Sequence, residues 1–148
     1  MVRKILVLLE TATIPKKVIQ YSIGLAKRTN SVLTLLLILR PDFWEELDAK
    51  HVVLEKTPEL ERASKEILES HISDIEREGV GVNYEMCIGD PSSEFLKFLA
   101  KNSPFQTVIW GGANIDKKGK SLKIEDHWLG RVKNAITCPL VVPRLSER

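Results

Sequence analysis

The run Thr107-Val108-Ile109-Trp110 passes directly into Gly111-Gly112, and this junction constrains the fold more than any other stretch of the chain. Three β-branched residues and an aromatic specify a buried strand, and the glycine pair specifies a turn that needs backbone freedom. In an open parallel sheet, ligands bind beyond the carboxyl ends of the strands, so any small-molecule site is expected near Gly111.

The remaining segments supply the partners such a strand requires. Ile5 to Leu9 is apolar throughout, as befits a strand covered on both faces. The run is short, meets Glu10 at once and lacks a small-residue cleavage site, so it reads as a first strand and not as a leader. Thr13 and Pro15 open a predicted helix ending near Asn30, with Ile14, Val18, Tyr21 and Leu25 on its apolar side. Ser31 to Leu39 forms a second strand, closed by Arg40-Pro41.

Periodicity is lost from Pro41 to Thr57, where Phe43, Trp44 and Leu47 read as a small cluster pinning a surface loop. Part of this segment, together with Ala113 to Lys123, is expected to be mobile. Thr57-Pro58-Glu59 carries helix-start signals, with Leu60, Ala63, Ile67, Ile72 and Ile75 as the buried side and Gly79 as the stop. Val80 to Ile88 alternates in polarity, which predicts an edge strand. Asp90 and Pro91 start the next helix, whose apolar side is Phe95, Leu96, Phe98 and Leu99 and which ends at Asn102-Ser103-Pro104. Beyond Trp110 come the polar stretch, a helix from about Ile124 to Ile136, and a final strand from Pro139 to Pro143.

The order βαβαβαβαβ predicts an α/β fold. It is a single Rossmann-like domain over residues 1–148, an open five-stranded parallel sheet with helices on both faces. With 22 basic and 20 acidic residues, net charge +2, neither a nucleic-acid nor a membrane surface is expected. His51, His71 and His127 show no ligand spacing with Cys87 or Cys138, so no metal site is inferred. The two cysteines read as structural thiols of a reducing cytosol, and no acid, base and nucleophile constellation marks an enzyme.

Three pieces of the chain together resemble the universal stress protein (UspA-like) family. They are Lys4-Ile5-Leu6-Val7, then Gly89-Asp90-Pro91 leading through a helix to Thr107-Val108-Ile109-Trp110-Gly111, then Cys138-Pro139-Leu140-Val141-Val142. The resemblance implies a strand order of 3-2-1-4-5, with a site between Glu10-Thr11-Ala12-Thr13 and Gly111-Gly112-Ala113-Asn114 at the switch point. Members that hold ATP carry G-x2-G-x9-G-S/T after the fourth strand, where glycines let backbone amides approach phosphate. Here Gly111 starts the motif, but Asn114 stands at its second glycine. Asp126-His127, or on a longer spacing Gly130-Arg131, stands at its Gly-Ser.

The candidate nucleotide pocket therefore comprises Glu10, Thr11, Gly111, Gly112, Asn114, Asp126, His127 and Gly130 in degenerate form. Glu10 takes the place of the family's strand-ending aspartate, and a carboxylate already satisfied at a strand end is its alternative reading. Trp128, with Val132 and Ala135, has the helical spacing of a core residue. The expected function is that of a non-catalytic, cytosolic, dimeric stress protein without a bound cofactor. The alternative is an ATP- or AMP-binding member whose altered phosphate loop draws on Lys117, Lys118, Lys120 and Lys123. Dimerisation is expected through the final strand, Cys138 to Pro143, an apolar edge without internal charge.

Overall fold

A computed structural model describes residues 3–10, 16–39, 53–102, 104–110 and 128–143. Five strands, β1 (Arg3–Leu9), β2 (Ser31–Leu39), β3 (Val82–Ile88), β4 (Thr107–Trp110) and β5 (Leu140–Val141), form one sheet in the order β3-β2-β1-β4-β5. All four pairings are parallel, with Ile5 opposite both Leu33 and Thr107. The helices are α1 (Lys16–Thr29), α2 (Val53–Arg77), α3 (Pro91–Asn102) and α4 (Trp128–Val132), the last running into a 3-10 turn over Lys133–Ala135.

The unbroken apolar strands are explained by two separate cores. Odd-numbered side chains, Ile5, Val7, Leu9, Leu33, Leu35, Leu37 and Ile109, face α1 and α2 and pack with Val18, Leu68 and Ile75. Even-numbered ones, Leu6, Leu8, Leu36, Ile38, Val108 and Trp110, face the other way and pack with Phe95, Phe98, Trp128 and Leu129. A strand of period two that is buried on both faces has little room for polar residues, and Thr34 is the one such residue inside β2. Each fully buried Leu or Ile contributes roughly 1.5–3 kcal/mol, and the central strands supply many of them.

Local signals end the elements where expected in several places. Gly79 (φ 82°) closes α2: its amide reaches the Glu76 carbonyl at 2.9 Å and the Val80 amide reaches the Ile75 carbonyl at 3.4 Å. Asn30 takes the corresponding left-handed position after α1 (φ 54°). Asp90 caps α3 by accepting from the Ser93 amide at 3.0 Å, with Pro91 as first helical residue. At the amino-terminal end of the sheet, the Gln106 side chain donates to Thr29 Oγ1 (3.1 Å) and Ser31 Oγ (2.6 Å), joining the α1–β2 turn to the start of β4.

Other expectations are corrected. The helix predicted to start at Thr57-Pro58 begins at Val53, one turn earlier. A proline past the first turn gives up the hydrogen bond to the carbonyl four residues back and crowds it with its ring, so the earlier start runs against local propensity. In α1 the buried positions are Val18, Ile19, Ser22 and Ala26, while Tyr21 is 36% exposed. In α2, Ala63 is exposed, and Ser64 and Leu68 take the buried face. In α3, Leu96 is 40% exposed although Phe95 and Phe98 are buried as predicted.

The third strand begins at Val82, because Val80 belongs to the cap of α2. The last helix leaves α geometry at Val132 (φ −113°, ψ 8°), so Ala135 lies in a 3-10 turn and is exposed. The last strand is only Leu140–Val141. Pro139 and Pro143 have no amide to extend it, and Pro139 joins the ladder solely by accepting from Val108 at 3.0 Å. The expected helix start at Thr13 and Pro15, the cluster of Phe43, Trp44 and Leu47, and the stretch Ala113 to Lys123 lie outside the described residues.

Candidate functional site

The strand order reverses between β1 and β4, so the switch point lies where Leu9 leads to Glu10 and β4 ends at Trp110. Glu10, half-exposed, projects its carboxylate there. Its Oε2 accepts from Trp110 Nε1 at 2.9 Å, and its Oε1 accepts from Trp128 Nε1 at 2.8 Å. Trp110 is 2% exposed and Trp128 is 4% exposed, so both donors belong to the core on the α3–α4 side of the sheet. The Trp128 ring also meets Phe95 edge-to-face, with centroids 5.5 Å apart and planes at 65°.

Each element has a clear part in this arrangement. Parallel pairing of β1 with β4 sets Leu8 opposite Trp110, which delivers Glu10 and the Trp110 indole to the same end of the sheet. Trp128 opens α4, which packs on α3 through Phe95 and so brings its indole across the strand ends. An indole N–H can only donate, and a carboxylate oxygen accepts it without any proton having to be shared. The result is a bidentate clamp between residues 100 and 118 positions apart.

Of the predicted pocket residues, Glu10 lies at the strand ends and Gly130 lies two residues beyond Trp128 within α4. Thr11, Gly111, Gly112, Asn114, Asp126 and His127 lie outside the described residues. Sequence reasoning missed Trp110 and Trp128 as partners of Glu10. A signal was present, since both tryptophans flank the segment that the family resemblance assigns to phosphate.

The other reactive side chains do not assemble here. Burial, with Glu85 and then Glu94 nearby, pushes the Cys87 thiol up to about 11, and burial raises Cys138 as well. Both cysteines are free, half-buried thiols that stay protonated near neutral pH. A cavity of about 400 Å³ between β3 and α3 is lined by Glu85, Cys87, Glu94, Lys97, Phe98 and Lys101, and none of the strand-end residues contributes to it. Among the described residues no group of three or more His, Cys, Asp or Glu is placed to hold a metal. No described helix is long and apolar enough to cross a membrane.

No family model matches the sequence. The chain is 25% identical over 119 residues to the universal stress protein Sll1388 of Synechocystis, covering 73% of this chain and 77% of that one. The universal stress protein UspA of Lactobacillus plantarum superposes with a TM-score of 0.72 at 13% identity, covering 96% of this chain and 97% of its own. A universal stress protein family member from Arabidopsis thaliana, solved with AMP bound, gives a TM-score of 0.56 at 17% identity over 98% of this chain and 94% of its own. At these identities the two structures establish the shared fold, a five-stranded sheet of order 3-2-1-4-5.

Proposed function

We propose, for a chain that belongs to the UspA-like universal stress proteins, that it acts as a non-catalytic, dimeric protein of the cytosol whose nucleotide site is degenerate and binds ATP weakly or not at all. The observation that carries this reading is the Glu10 clamp. The acidic group at the end of β1 accepts from two tryptophan N–H groups of its own chain, and Trp128 closes over the strand ends from α4. A ligand seeking that carboxylate must displace hydrogen bonds to a charged group, each worth roughly 1.5–3 kcal/mol. The sequence adds a phosphate motif interrupted at Asn114 and again at Asp126-His127 or Gly130-Arg131.

Dimer formation is assigned to β5, which lies at the sheet edge with Val142 beside it 42% exposed. The AMP bound to the Arabidopsis neighbour supports a second reading, in which this chain takes a nucleotide through an altered loop. A monophosphate depends less than ATP on an extended phosphate loop, so AMP is the discriminating ligand. Isothermal titration with Mg-ATP and with AMP tests both readings, and no tight ATP site is expected. An ATP dissociation constant below about 10 μM, roughly −7 kcal/mol, overturns the degenerate-site reading. Tight AMP with weak ATP selects the second.

A further inference from the structure

We infer that the Trp110 and Trp128 indole N–H groups constitute an anion-binding position that Glu10 fills as a resident ligand, and that the position is matched to a small carboxylate. The inference concerns the same strand-end site as the proposed function and rests on that reading for its location alone. Two donors from different elements, the end of β4 and the start of α4, converge on the two oxygens of one carboxylate at 2.9 and 2.8 Å. Their rings are held by contacts independent of Glu10. Trp110 is 2% exposed in the core cluster that also contains Phe95 and Trp128, and Trp128 meets Phe95 edge-to-face.

The donors are thus pre-positioned by the core, and Glu10, half-buried just past the end of β1, is the acceptor they meet. Indoles cannot accept a hydrogen bond, so the position discriminates against cations and neutral donors. Two N–H groups directed at separate oxygens also suit a planar carboxylate better than a single-centred halide. Buried donors deprived of an acceptor are costly, so the position favours any small anion that reaches it once Glu10 is removed.

The test is chemical rescue of Glu10→Ala in the full chain. Thermal unfolding and tryptophan emission are followed with sodium formate and sodium acetate, using sodium chloride at matched ionic strength as the baseline. The variant is expected to melt below wild type and to recover saturably with carboxylate, whereas wild type follows chloride alone. With a dissociation constant of about 10 mM, 100 mM formate favours the folded variant roughly tenfold. Equal responses in variant and wild type, or a variant that follows chloride, overturn the inference.

Glu10→Gln supplies a second reading that does not depend on the alanine variant folding. It preserves the side chain's size but replaces one acceptor with a donor, so at least one of the two indole N–H resonances is expected to move upfield and exchange faster. Unmoved resonances at Trp110 and Trp128 overturn the inference. Titration of wild type with Mg-ATP judges the degenerate-site reading separately, since tight ATP binding is compatible with carboxylate rescue of the alanine variant.

Discussion

Replacing Trp128 by phenylalanine removes the N–H that Glu10 Oε1 accepts at 2.8 Å while keeping an aromatic ring against Phe95. A hydrogen bond to a charged acceptor contributes roughly 1.5–3 kcal/mol when enclosed, and the half-exposure of Glu10 brings the expected share down to about 1–2 kcal/mol. The missing five-membered ring adds a packing loss at a site only 4% exposed. A double-mutant cycle with Glu10→Gln separates the two, because the packing loss is common to both backgrounds and cancels. Trp110→Phe forms the companion cycle.

A glutamine amide has one acceptor oxygen for two donors, so at least one cycle must show a coupling of about 1–2 kcal/mol. For a chain of this length each kcal/mol moves the melting temperature by roughly 3–4 °C, well within reach of thermal unfolding followed by circular dichroism. Urea unfolding supplies the free energies themselves. Coupling below about 0.5 kcal/mol in both cycles, the ordinary error of additivity, refutes the clamp as an energetic unit.

Three further outcomes are expected. Ser64→Ala is stabilising by about 1 kcal/mol in urea unfolding, because Ser64 Oγ is buried without a hydrogen-bond partner among the described residues. Burial lowers the pKa of His71 below its ordinary 6.5, Asp74 opposing and Lys16 assisting, so the unfolded chain binds the proton first. Stability is therefore full above pH 6.5 and falls as the pH drops through it, until the folded-state pKa is passed, and His71→Gln flattens that part of a stability–pH curve. Val142→Lys places a charge on an edge residue that is 42% exposed, and light scattering at micromolar concentration is expected to shift from dimer toward monomer. A wild-type mass near 16.8 kDa sinks the dimer assignment.

The sheet was far more legible in the sequence than the helix faces. Ser31–Leu39 and Thr107–Trp110 are found with the predicted bounds, since a doubly buried strand is written as a mostly apolar run, here broken inside only by Thr34. Helix faces were misread where polarity and burial part company. Ser22 occupies the buried stripe instead of Tyr21 because its hydroxyl donates to the Val18 carbonyl at 2.8 Å, which satisfies it without water. At the site, Glu10 was visible as an acid ending a strand, and the reading of it as a satisfied carboxylate is the one its two hydrogen bonds support. Trp128 was recognised as core, but its role as a donor was not, because the contact spans 118 positions and exists only once α4 packs across the strand ends.

The two borders of the sheet differ in chemistry, and that difference limits what can be built from it. β5 offers Leu140 and Val141 between two prolines, whereas β3 carries Asn83 and Glu85 exposed along the opposite border. Head-to-tail stacking, β5 of one copy against β3 of the next, would set an apolar ribbon beside a charged strand in every repeat. Pairing of like with like about a two-fold axis would avoid that mismatch and use the apolar β5 border of each copy. If copies of the chain pair through β5, as proposed, this asymmetry would favour a closed pair over an open filament.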